Sequence, residues 1–222
     1  DAYGYDIAPS KYLESLFETL FHYDSALRDH AFPEWANDLL SESVRRAGVP
    51  QDRAETIMKE AMERKSPQGL WAYTTSRVRT ALERLRTGGF RMAAISNSDG
   101  TVAEQLRDAG LDEYFEKIFD SGILGVEKPD PQIFIIALRD LGLEPDQCLY
   151  IGDVFMWDVL GANRAGIRAV HIDNLGLYGD WPGVHFPHID ELATALIEGN
   201  LALDDPQLLC CVDFEGHQVE ED

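Results

Sequence analysis

Cysteine is scarce: three occur in 222 residues, Cys148 inside an apolar run and the adjacent pair Cys210 and Cys211. That count excludes a disulfide scaffold and suits a reducing compartment, and no Cys-x-x-Cys or Cys/His spacing offers a zinc site. Basic charge is thin as well. Nineteen Lys and Arg, only five of them Lys, stand against forty Asp and Glu, a formal charge of −21. A phosphate backbone would be repelled by the average surface, so nucleic acid is not an expected partner. Long apolar runs are missing too. Stretches such as Phe134–Leu138 fall far short of the roughly 20 residues needed to cross a bilayer. The opening Asp1-Ala2-Tyr3-Gly4-Tyr5 has no basic segment followed by an apolar one. The expectation is a cytoplasmic protein with no membrane partner. Its 45% hydrophobic and 27% charged content is that of a folded chain, and the acidity reads as a solubilising or salt-adapted surface.

What is present divides into three parts. Residues 1–70 read as a helical cap subdomain. Tyr12, Leu13, Leu16, Phe17, Leu20 and Phe21 recur at helical spacing after Pro9-Ser10, with Ser10 as a capping residue. Helices are also expected over Pro33–Ala47 and Asp52–Glu63. From Trp71 to about residue 200, helices alternate with short apolar strands. Helices are expected over Ser76–Thr87, Thr101–Ala109, Pro131–Leu141, Asp158–Ala165 and Ile189–Glu198, and strands over Arg91–Ile95, Lys117–Phe119, Cys148–Gly152 and Ala169–Ile172. Strands separated by helices need crossover connections. The fold class is therefore α/β, a Rossmann-like, mostly parallel sheet flanked by helices, with the helical cap in front and an acidic tail, 201–222, behind.

In such sheets ligands sit beyond the carboxyl ends of the strands. Strand Arg91–Ile95 delivers Ser96-Asn97-Ser98-Asp99-Gly100 into a helix, a hydroxyl and backbone amides suited to an anion, although Ser98 or Asp99 would also serve as plain caps. Gly125-Val126-Glu127-Lys128-Pro129-Asp130-Pro131 holds a lysine in a proline-stiffened loop, either a phosphate clamp or a solvated surface cation. Strand Cys148–Ile151 ends in Gly152-Asp153, with Asp158 five residues on; two carboxylates flanking one turn suit a hard divalent cation, or Asp158 caps its helix.

Hydroxyl, lysine and paired aspartates, each at the end of a successive strand, resemble the haloacid dehalogenase-like hydrolase superfamily, most closely its subfamily with a helical cap. The matching stretches are Ile95-Ser96-Asn97, Lys128-Pro129-Asp130-Pro131-Gln132-Ile133-Phe134 and Gly152-Asp153…Asp158…Gly161-Ala162…Ala165-Gly166. The resemblance implies a covalent aspartyl intermediate that water hydrolyses. It assigns Ser96, Asn97 and the amides after Ser96 to the transferring phosphoryl oxygens, and Lys128 to charge neutralisation. It assigns Asp153 to Mg²⁺, with Asp158 as a second metal residue nearer the outer shell. The implied function is a Mg²⁺-dependent phosphatase of a small phosphorylated metabolite. A 2-haloacid dehalogenase and a catalytically inactive phosphate-binding module are the alternatives.

The family's first strand, ending in an aspartate nucleophile, has no clear counterpart. Asp1-Ala2-Tyr3-Gly4 imitates its dehalogenase version, but no strand precedes it and Tyr5 stands where threonine is expected. Leu208–Val212 followed by Asp213-Phe214-Glu215-Gly216 imitates a permuted first strand. The expectation is a chain lacking that strand and its nucleophile, with little hydrolase activity and with exposed sheet edges that favour self-association. Tyr12, Phe17, His22, Tyr23, His30 and Trp35 read as interior packing; His171, His185 and His188 carry no assigned chemistry.

Overall fold

The structure is a computed structural model that describes residues 7–29, 38–63 and 74–201. Asp1, His30, Trp35, Cys210, Cys211 and Asp213 lie outside the described residues. Helix α1, Pro9–Arg28, presents Leu16, Leu20 and Leu27 inward. Ser10 does not cap it: Ala8 occupies the cap without a side-chain bond, and Pro9 takes the first turn, where a missing N–H is no loss. Helix α2, Leu39–Arg46, starts at Asp38, whose carboxylate accepts the Ser41 amide at 3.0 Å. It is shorter than the expected Pro33–Ala47, and residues 33–37 lie outside the described set. Helix α3, Gln51–Glu63, packs Ala54 and Met58 against Val44 and Val49. Buried Glu42 is held there by Arg45 and Arg46 at 2.6 and 2.7 Å.

The alternating region then runs α4 (Ser76–Thr87), β1 (Ala93–Ser96), α5 (Val102–Asp108), β2 (Lys117–Asp120), α6 (Ser121–Leu124), α7 (Pro131–Leu141), β3 (Leu149–Gly152), α8 (Leu160–Arg164), β4 (Arg168–Ile172), β5 (Val184–Phe186) and α9 (Ile189–Ile197). The expected helix over Asp158–Ala165 is in fact two pieces, a π turn over Phe155–Val159 and then α8. Short α6 and β5 have too few residues for a periodic pattern to announce them. Helix α7 shows why these elements form. Asp130 caps it by accepting the Gln132 amide, Pro131 opens it and Gly142 closes it in the left-handed region. Its buried face is Ile133, Phe134, Ala137 and Leu138. Helix α8 lies close to α7 because Gly161 has no Cβ; one built there would stand 2.8 Å from Phe134.

Among the described residues every strand pairing is parallel, as expected, but the strands fall into two pieces: β1 with β2, and β3–β4–β5. Among the described residues no backbone hydrogen bond joins β1 to β3, and the facing edges of the two strands have no backbone partner. The pieces are tied by other means. Helices α4 and α9 pack across one face through Ala81, Leu85 and Ala193, and α7 and α8 build the main apolar core on the other through Phe134, Phe155, Leu160 and Ile167.

Candidate active site

The carboxyl ends of β1 and β3 meet through side chains. Tyr150, near the end of β3, places its hydroxyl 3.3 Å from the Ile95 carbonyl, the residue before Ser96. Asn97 clasps the backbone of Lys128 in both directions: its Oδ1 accepts the Lys128 amide at 2.8 Å and its Nδ2 donates to the Lys128 carbonyl at 2.9 Å. The Oδ1 of Asn97 and one of its Nδ2 protons are therefore committed to the lysine loop.

The loop after β1 is pinned from β2. Buried Asp120 accepts the amides of Gly100, Val102 and Gly122 at 3.0, 3.1 and 2.9 Å. Ser121 Oγ accepts the Ser98 amide at 2.9 Å. These bonds correct the expectation that a run of amides after Ser96 faces an anion, because the Ser98, Gly100 and Val102 amides are already satisfied from within. They also displace Ser98 and Asp99 as caps of α5: Thr101 is its first flanking residue and Asp120 takes the Val102 amide.

Lys128 and Asp158 form the densest contact of the site. Lys128 Nζ lies 2.6 Å from Asp158 Oδ1 and donates to the Tyr150 hydroxyl at 3.2 Å. Their side chains are 11% and 4% exposed. Burial alone would lower the lysine's pKa, but the adjacent carboxylate and the phenol outweigh it and hold the ammonium above its ordinary range. Asp158 Oδ2 accepts the amides of Asp153 and Val154 at 3.1 and 3.0 Å. The curl that brings it there requires Gly152, whose missing Cβ would overlap the Asp158 Cβ and Cγ. Both oxygens of Asp158 are thus engaged. As placed, Asp158 orients the turn and pairs with Lys128.

Asp153 differs. Its carboxylate makes no hydrogen bond or ion pair with another described side chain, and the residue is exposed, lining a small recess. Burial of the surroundings, and then the charge of Asp158, push its pKa up, while Lys128 opposes the shift. A carboxylate with that surplus of negative potential, on an exposed residue, suits a hard cation that needs few protein ligands. Among the described residues no cluster of three or more His, Cys, Asp or Glu side chains forms a complete metal cage. The small recess beside Asp153 has room for about one water molecule and is walled by Phe17 and Leu20 of α1 and by Leu177 and Tyr178.

Two contributors carried no signal in the motifs. Tyr150 reads as a strand residue. His171, on β4, turns Nε2 to the Asp153 carbonyl at 3.2 Å; a carbonyl only accepts, so this nitrogen carries the proton, and burial followed by His185 lowers the ring's pKa to about 4, keeping it neutral. Of the other ring residues, Trp157 packs edge-on against Tyr23 of α1 at 5.6 Å, and Phe17 is half-buried while His22 is exposed.

A sequence profile of haloacid dehalogenase-like hydrolases matches residues 10–166. The chain belongs to this family. It is 40% identical over 100 residues to the glyceraldehyde 3-phosphate phosphatase of Methanopyrus kandleri, covering 45% of this chain and 42% of that protein. It is 30% identical over 184 residues to phosphoglycolate phosphatase 1 of Pseudomonas aeruginosa, covering 82% and 63%. The chain thus spans about half the length of the curated relatives it matches. The fold is shared with the magnesium-bound HAD-hydrolase YfnB of Bacillus subtilis at a TM-score of 0.58 and 18% identity, covering 88% of this chain and 86% of that one.

Proposed function

We propose that this site is that of a Mg²⁺-dependent phosphatase acting on a small phosphorylated metabolite. The observation that carries the reading is a buried Lys128 ammonium with Asp158 and Tyr150 on two of its protons, beside the exposed Asp153, whose carboxylate has no side-chain partner among the described residues. The ammonium's remaining proton is directed to a phosphoryl oxygen. Anion contact on the β1 side falls to the Ser96 hydroxyl and the adjoining Asn97 amide, with Asp120 and Ser121 keeping the loop rigid. Asp153 would hold Mg²⁺, which supplies neutralisation of developing phosphate charge. Names of relatives, glyceraldehyde 3-phosphate, phosphoserine and phosphoglycolate phosphatases, support a small phosphomonoester as substrate. The three-cysteine count supports a cytoplasmic setting, and the acidic balance argues against nucleic acid. Among the described residues no helix is long and apolar enough to cross a membrane.

The test is phosphate release from a panel of small phosphomonoesters, with Mg²⁺ and with EDTA, alongside calorimetric binding of inorganic phosphate. Mg²⁺-dependent binding lost in Asp153→Asn and Lys128→Ala is expected. Turnover lost in Asp213→Asn or in Asp1→Asn identifies the nucleophile, and binding without turnover selects an inactive phosphate-binding module. Halide release from 2-chloropropionate that persists in EDTA would establish the dehalogenase reading instead.

A further inference from the structure

We propose that Asp24 is a positioning residue for the cation ligand Asp153, gripping from the helical unit the turn on which Asp153 sits; the inference rests on the cation reading of Asp153 given above. On α1, Leu16, Leu20, Asp24 and Leu27 follow one another at spacings of four, four and three, a single inward stripe. A carboxylate stands in a leucine position. It is completely buried, beside an apolar cluster that includes Phe21, Phe155, Tyr178 and Trp181. None of its hydrogen-bond donors carries a charge, and burial raises its pKa to about 7. Burying a carboxylate without a cation is unfavourable, and helix packing alone would be better served by an apolar residue.

What Asp24 does instead is specific. It accepts the amides of Phe155 and Met156 at 3.0 and 3.1 Å, and the Tyr178 hydroxyl at 2.7 Å. Those two amides follow directly on the Asp153 and Val154 amides that Asp158 accepts. Four consecutive N–H groups, 153 to 156, are therefore taken by two carboxylates approaching from different elements. Asp158 belongs to the turn itself, whereas Asp24 reaches in from α1. His171 holds the Asp153 carbonyl as well. With these four amides and the Asp153 carbonyl spoken for, the direction in which Asp153 points depends on α1 being docked. The outer partners of a cation ligand characteristically set its affinity through such orientation.

Mn²⁺ binding to the 222-residue chain, followed by electron paramagnetic resonance, tests this. Asp153→Asn should abolish binding. Asp24→Asn should weaken it by about 10- to 100-fold while the helical circular dichroism is retained. Tyr178→Phe, which leaves both amides on Asp24, should lower thermal stability with Mn²⁺ affinity near that of the wild type. Unchanged affinity in Asp24→Asn, with binding lost in Asp153→Asn, overturns the positioning role and leaves the cation reading standing. Binding that survives Asp153→Asn overturns both. If Asp24→Asn does not fold, linkage supplies a measurement on the wild type. A grip that favours the cation must be tightened by it, so saturating Mg²⁺ should slow amide hydrogen exchange at Phe155 and Met156. Exchange rates that do not change at saturation overturn the inference.

Discussion

Replacing Lys128 by Met keeps the length and much of the volume of the side chain but removes the ammonium that stands 2.6 Å from Asp158 Oδ1. Both groups are nearly excluded from solvent, at 11% and 4% exposure. The substitution therefore strands a carboxylate in the interior, and losing one partner of a buried pair typically costs about 3–5 kcal/mol. Asp158 retains two backbone amides and the Tyr150 hydroxyl, at 3.1, 3.0 and 3.2 Å. These set the expectation near the lower end, about 3 kcal/mol, equivalent to a fall of roughly 6–12 °C in melting temperature for a domain of this size. Urea denaturation at pH 7 measures it. The double variant Lys128→Met with Asp158→Asn removes both charges while leaving a carbonyl oxygen for the Asp153 and Val154 amides, so it should recover about 1–3 kcal/mol relative to the sum of the single variants. A cost below about 1 kcal/mol for Lys128→Met, the level of an exposed pair, would refute the argument. So would strict additivity, since the two charges would then not sense one another.

Three further outcomes follow from the same geometry. Gly152→Ala places a methyl group on the Asp158 side chain; a loss of about 1–3 kcal/mol is expected from overpacking, together with loss of phosphate binding, and an unchanged melting temperature would show that Asp158 does not need the gap. Asp24 has a pKa raised from 3.8 to about 7, so the folded state holds its proton more tightly than the unfolded chain. Its contribution is full below pH 3.8 and is lost as pH rises through about 7, by roughly 4 kcal/mol over the window. The wild type minus Asp24→Asn stability difference, from urea melts, should fall steadily from pH 5 to 7, and a flat difference profile would contradict the burial argument. Finally, among the described residues β1 and β3 each have an edge without backbone partners, so light scattering after size exclusion should give a mass above that of one chain, and a clean monomer would show the edges to be protected.

The order of elements was legible because helix and strand periods alternate from residue 76 onward, and because Pro131 and Gly142 bracket α7 as a proline and a glycine should. The candidate site was legible as a set of residue types at strand ends. Roles within it were not. Nothing in the spacing of Asp153 and Asp158 says which carboxylate faces outward. That is decided by a missing Cβ at Gly152 and by a π turn that brings the Asp158 side chain back over the end of β3. Asn97 likewise gives no sign in the sequence that it ties down the lysine loop, because its partner is a backbone amide 31 residues away. Asp24 did leave a trace: an acidic residue interrupting a leucine stripe at 16, 20 and 27 marks a buried polar group whose partners must come from elsewhere in the fold.

The split sheet sharpens the point about what holds the site together. In a continuous parallel sheet the backbone ladder fixes the strand ends relative to one another. Here no ladder bond crosses from β1 to β3 among the described residues, yet the ends are joined by a chain of side-chain contacts. The Ile95 carbonyl and Asp158 share the one proton of the Tyr150 hydroxyl, which itself accepts from Lys128; Asp158 takes the Asp153 amide, and the Lys128 backbone returns to Asn97. Each link is a polar group buried or half-buried and satisfied by the next, so breaking any one strands its neighbours. The loops therefore converge through polar bonds that also set the charge of the site. Stability of the junction and competence for phosphate are expected to fail together in Lys128 and Gly152 variants, whereas substitutions in the apolar α4–α9 contact at Ala81 and Ala193 should lower stability alone.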